Sequence, residues 1–198
     1  MHWGDFFQDL EDQLSAQHEA DRAALDAEAE RLRISRMGLR DRLRGIAAGG
    51  APCRVELCDG LRVEAPIGPV GADWFSAAPG DGRLLLIRID AIAGLGLDGP
   101  ALVASAAAVQ GDPLSDRVTF GFALRDLARR RVPLTIGGAA GRVLSGTLDR
   151  VAADHADLAL HEPGGHRRRS EIRGFRVIPL EAIAWVRVEA GAGTALDG

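Results

Sequence analysis

The chain contains no lysine, no asparagine and no tyrosine, and all 24 of its basic side chains are arginine. Alanine and glycine are abundant instead. That balance matches GC-rich coding, so the arginines are not read as forks selected for phosphate. Cysteine is scarce. Cys53 and Cys58 would point to opposite faces of a strand, which excludes a ready disulfide between them. A disulfide-stapled framework is thereby excluded, and a reduced, cytoplasmic chain is expected. No stretch of 18 apolar residues exists, so no transmembrane segment is expected. The first residues are acidic and lack the basic-then-apolar layout of a signal peptide. A net charge of −4 favours no class of partner.

What the chain does have is a repeat. Shifted by 81 residues, Pro52 falls on Pro133, Val55 on Ile136, Gly60 on Gly141 and Val63 on Leu144. Val70 then meets Val151, and Asp73 meets Asp154. At an offset of 91, Ile89-Asp90-Ala91-Ile92-Ala93 faces Leu180-Glu181-Ala182-Ile183-Ala184. Ten extra residues therefore enter the second copy between about Glu162 and Val177. Two small modules of one design are implied. Modules of this size are marginal alone, so packing on each other or on a partner is expected.

Residues 3 to about 46 read as one helix, with only Gly4 before Gly38 and no proline before Pro52. Phe7 and Leu14 lie seven apart, as do Leu25, Leu32, Leu39 and Ile46. An eleven-residue step joins the two series, a stutter in a heptad pattern. A short coiled coil and a helix packed on its own domain both remain open. Nine acids and one arginine fill residues 5–30, and six arginines and one aspartate fill residues 31–44, an order that suits the helix dipole. From Cys53 the period becomes two. Short strands are predicted around Cys53–Leu57, Leu61–Ile67, Trp74–Ala77, Leu84–Ile89 and Ile92–Leu95. After a helical turn at Phe122–Arg131, the second copy predicts Leu134–Ile136, Arg142–Leu148, Ala156–Leu160, Ile172–Ile178 and Ile183–Val188. The organisation read from this is a helix at 1–46, a first module at 47–97, a linker at 98–120, a second module at 121–190 and a flexible tail at 191–198.

A helix followed by five short strands resembles the Sm-like fold, a relative of SH3-type barrels. Gly141-Arg142-Val143-Leu144-Ser145-Gly146-Thr147-Leu148 looks like the first half of the Sm signature, and Ile172-Arg173-Gly174-Phe175-Arg176-Val177 looks like its Ile-Arg-Gly element. More loosely, this layout in an arginine-only chain resembles uncharacterised actinobacterial proteins. The resemblance implies a mainly β fold with α: a long N-terminal helix, then two tandem five-stranded Sm/SH3-like barrels. The Asp and Asn that RNA-binding Sm proteins carry after the second strand are replaced here by Val151-Ala152-Ala153-Asp154-His155-Ala156-Asp157.

The function expected is a non-catalytic cytoplasmic scaffold or adaptor, with a protein partner or self-association through Trp3, Phe7, Leu10 and Leu14, which share a helical face. The alternative is Sm-like RNA binding through an arginine patch of Arg129, Arg130, Arg131, Arg167, Arg168, Arg169 and Arg173. Aromatic side chains to stack bases are few. No catalytic residue, metal, cofactor or small-molecule substrate is indicated. Gly94-Leu95-Gly96-Leu97-Asp98-Gly99 has the letters of a dinucleotide fingerprint but lies where the repeat expects the end of a strand. Asp154, His155, Asp157 and His161 are close in sequence, yet alternation along a strand disperses them. Ser145 lacks the elbow pattern of hydrolases.

Overall fold

The computed structural model describes residues 3–107, 109–138, 141–163 and 171–188. The chain divides into two units, Met1–Gly38 and Leu39–Gly198. The first is a single helix, α1 (Trp3–Ser35), of 33 residues and so about 50 Å long. Its end is tightened by bonds from the Arg36 and Met37 amides to the Arg33 and Ile34 carbonyls. The helix predicted to run to residue 46 is thus interrupted over 36–38, next to Gly38, and resumes as α2 (Leu39–Gly49) in the second unit. Leu43 and Ile46 of α2 are buried in the second unit's core, so Ile46 is not part of a continuous heptad seam.

Among the described residues, the second unit holds ten strands. The first copy supplies β1 (Pro52–Leu57), β2 (Arg62–Val70), β3 (Trp74–Ala77), β4 (Leu84–Arg88) and β5 (Ile92–Gly96). The second supplies β6 (Pro133–Gly138), β7 (Val143–Val151), β8 (His155–Leu160), β9 (Gly174–Pro179) and β10 (Ile183–Val188). A short helix, α3 (Gly99–Ala104), lies in the linker, and α4 (Phe120–Arg130) precedes the second copy. The α4 N-terminus is capped by Thr119, and its Phe120 amide donates to Asp73 Oδ1 of the first copy at 2.6 Å.

The expectation of two closed five-stranded barrels is not met. All ten strands form one open antiparallel sheet of order β5-β1-β2-β3-β4-β10-β6-β7-β8-β9, and the class is mixed α and β. The physical reason lies at the centre of that order. The outer edge of β4 bonds to β10, so the ladder of one copy runs directly into the other. The repeat itself is reproduced residue by residue. Val55 pairs with Val63 as Ile136 pairs with Leu144. Gly94 pairs with Glu56 as Trp185 pairs with Gly137, each beside a bulge at the same place. Phe75 pairs with Ile87 as Ala156 pairs with Ile178.

Two cores result. The first gathers Leu43, Ile46, Val55, Phe75 and Ile87, and takes in Ala184 and Trp185 from β10. The second gathers Phe120, Leu124, Leu134, Leu158 and Val186, and takes in Leu86 from β4. Strand alternation explains the exchange, because neighbouring residues of β4 face opposite sides of the sheet. Leu85 and Ile87 serve the first core while Leu86 serves the second.

Candidate interaction surfaces

Helix α1 spans Trp3, Phe7 and Leu10, whose side chains lie outside the described residues. Leu14, the fourth member of that face, is exposed, as are Leu25 at 71 % and Leu32 at 49 %. Two charged pairs form within the helix, Arg31 with Glu28 and Arg33 with Glu30, and the hydrogen bond from Arg33 holds Glu30 below the usual carboxylate range. The leucines are not matched in this way.

The arginines proposed for nucleic acid are only partly brought together. Arg129 and Arg130 lie in the last turn of α4, and both pair with Asp126, Arg130 at 2.8 Å. Arg131 closes the helix in the left-handed conformation at φ 53°. Arg173 precedes β9 and pairs with Glu162. Arg167, Arg168 and Arg169 lie outside the described residues.

The residues weighed for other chemistry are dispersed. His155 Nδ1 and Asp154 Oδ1 form an exposed pair at 2.7 Å. That bond holds the Asp154 carboxyl below its ordinary range. His161 is buried elsewhere, with Nε2 2.8 Å from Thr147 Oγ1 and Nδ1 2.9 Å from the Glu162 carbonyl. Among the described residues no three His, Cys, Asp or Glu side chains are grouped as metal ligands. Gly94 and Gly96 lie in an edge strand of an antiparallel sheet. The carboxylate of Asp98 accepts from the Ala101 amide at 2.7 Å, so it occupies the N-terminus of α3 where a phosphate would have to sit. Ser145 Oγ lies 3.0 Å from Thr135 Oγ1, its cross-strand partner.

Cys53 is buried, and burial pushes its thiol up, whereas Cys58 is exposed. The thiolate is the reactive form. Iodoacetamide should therefore label Cys58 in the folded protein and reach Cys53 only on unfolding, as read by peptide mass spectrometry. Equal labelling of both would contradict the packing of β1.

Sequence reasoning missed a groove beside β9. It has a volume of about 530 Å³ and is lined by Ile136, Leu144, Ile178 and Ala182, with Arg142 and Arg176 among its polar walls. Its strand exposes Phe175 at 58 % and Val177 at 68 %. The signal was present: Phe175 and Val177 alternate with Arg176, and the repeat equates Val177 with Leu86, which the molecule buries.

No protein-family model, no curated protein and no solved structure matches this chain. Among the described residues, no helix is long and apolar enough to cross a membrane.

Proposed function

We propose that the protein is a non-catalytic cytoplasmic scaffold or adaptor, in which the ten-stranded sheet is the rigid body and α1 mediates self-association or partner docking. The observation that supports this most directly is the exposure of Leu14, Leu25 and Leu32 along one 33-residue helix. A helix in water gains most of its stability by burying an apolar face. Three leucines on one side of the helix, Leu25 and Leu32 seven apart and Leu14 across the stutter, leave that face to be covered by another helix.

Sedimentation equilibrium of the full chain tests the reading. Wild type should associate at micromolar concentration, and the double substitution Leu25→Glu, Leu32→Glu should shift it to monomer. Both residues are exposed, so the sheet unit should keep its thermal transition. A wild-type chain that stays monomeric, and that pulls no protein from lysate in a way the double variant loses, would sink the proposal.

RNA binding draws less support, because Arg129, Arg130 and Arg173 already face carboxylates. Binding through phosphates weakens steeply with salt, by about a thousandfold or more between about 50 and 200 mM for six to ten contacts. Labelled single-stranded RNA is expected to show no such salt-steep binding. If it does, and Arg129→Glu with Arg130→Glu abolishes it, the arginine patch is the functional surface.

A further inference from the structure

One sheet edge in this molecule is already covered, and it shows what its twin lacks. Strand β4 of the first copy is paired antiparallel by β10, with Trp185 opposite Ile87, Val186 opposite Leu86, Arg187 opposite Leu85 and Val188 opposite Leu84. The Trp185 side chain is buried in the first core, and its indole N–H donates to Asp59 Oδ2 at 2.7 Å. The ring shares a cleft with Leu61, Val63 and Leu85. The register of the repeat makes β9 the counterpart of β4: Ile178 for Ile87, Val177 for Leu86, Arg176 for Leu85 and Phe175 for Leu84. The counterparts of Leu61, Val63 and Leu85 are Arg142, Leu144 and Arg176, which line the groove beside β9. That groove is therefore the second copy's version of the Trp185 seat. Among the described residues, strand β9 ends the sheet. Leu86 is 3 % exposed, while its counterpart Val177 stands open. An uncovered apolar edge of this kind is a template for a further strand.

We propose that β9 and its groove bind an extended segment of another protein, added antiparallel as an eleventh strand, with a large apolar side chain in the groove and a carboxylate opposite Arg176. The occupant is specified by register. The position matching Trp185 faces a seat walled by Leu144, Ile136 and Ile178. The groove's described lining holds no carboxylate to accept an indole proton as Asp59 does, so a phenylalanine suits the position better than a tryptophan. The next residue covers Val177. The position matching Arg187 lies opposite Arg176 rather than Leu85, and an acid there replaces like-charge repulsion by attraction.

A second copy of this chain is the poorer occupant. Of its two terminal strands, β5 carries Gly94 and Gly96 at the two specifying positions, with no side chain for the groove or for Arg176, and β9 (Gly174–Pro179) carries no acid to set opposite Arg176. This inference stands apart from α1, and loss of helix-mediated association leaves it intact.

The test uses the full chain and two labelled synthetic peptides of the Leu180–Val188 sequence. One carries Trp185→Phe with Arg187→Glu, and the other carries Trp185→Phe alone. Fluorescence anisotropy should show saturable binding of the acidic peptide, about fivefold tighter than the basic one. Arg176→Glu in the protein should reverse that preference. Val177→Lys should weaken both peptides by about tenfold, with Phe175→Lys as the second variant; all three residues are exposed. Gly94→Trp should make the chain add to itself head to tail, and Val177→Lys should undo this. Absence of peptide binding to wild type, or a preference that Arg176→Glu leaves unchanged, would overturn the proposal. So would wild-type self-association that persists in the Leu25→Glu, Leu32→Glu variant and is lost with Val177→Lys, because that result assigns the edge to a second copy.

Discussion

Trp185→Ala should cost the sheet unit about 3–5 kcal/mol, the loss expected for truncating a buried tryptophan. The residue is 4 % exposed and belongs to the second copy's last strand, yet its ring fills the first copy's core. It also lies against Gly137, its neighbour on β6, where a Cβ would come within 1.9 Å of the ring. Removing the indole therefore opens a cavity under the β4–β10 junction and deprives Asp59 Oδ2 of a donor. Asp59 keeps its bond from the Leu61 amide at 2.9 Å, so most of the loss is packing rather than an unpaired carboxylate. Trp185→Phe separates the two contributions, retaining most of the volume while removing the N–H, and should cost about 1–2 kcal/mol. Urea unfolding of both variants measures the difference. A loss below about 1 kcal/mol for Trp185→Ala would mean that backbone pairing alone holds the two copies together.

Gly45→Ala should also destabilise, by about 1–3 kcal/mol, although helix propensity predicts the opposite. Gly45 lies inside α2, where alanine is ordinarily worth about 1 kcal/mol more than glycine. Here an added Cβ would stand 2.1 Å from the carbonyl oxygen of Ser105, just after α3. The obstacle is backbone, which cannot rotate away, and Ser105 is itself buried. To accept the methyl, α3 must move off α2. Gly49 is the internal control: it ends the same helix with nothing within 4 Å of a built Cβ. Gly49→Ala should be neutral or stabilising by up to about 1 kcal/mol. If Gly45→Ala behaves like Gly49→Ala in thermal unfolding, the close contact of α2 with the linker is wrong.

Both predictions depend on tertiary contacts, and they mark where the sequence stops. Local structure was legible. Alternation in Cys53-Arg54-Val55-Glu56-Leu57 and the Asp59-Gly60 turn placed β1 and β2, and β3 and β10 fall on the residues expected of them. The repeat was legible too, because matched pairing positions demand matched side chains, and the offsets of 81 and 91 recur in the observed registers.

The linkage between the copies was not read from the sequence. Whether a five-stranded set closes on itself or passes its edge to a neighbour depends on contacts about a hundred residues apart, and periodicity reports only the next few. A clue did exist. Leu84-Leu85-Leu86-Ile87 is apolar throughout, as befits a strand buried on both faces, whereas its counterpart Phe175-Arg176-Val177-Ile178 is broken by a charge. The helix break at 36–38 was hidden similarly, because Leu39 and Ile46 continue the seven-residue spacing across it. Thus the sequence determined the strands, the duplication and the apolar stripe of α1, all properties of near neighbours in the chain. Only tertiary structure decided that ten strands share one ladder, that Trp185 completes the other copy's core, and that among the described residues β9 is left without its equivalent cover. Those outcomes depend on which edges meet, and the free energy that selects among edges comes from packing between residues far apart in the chain.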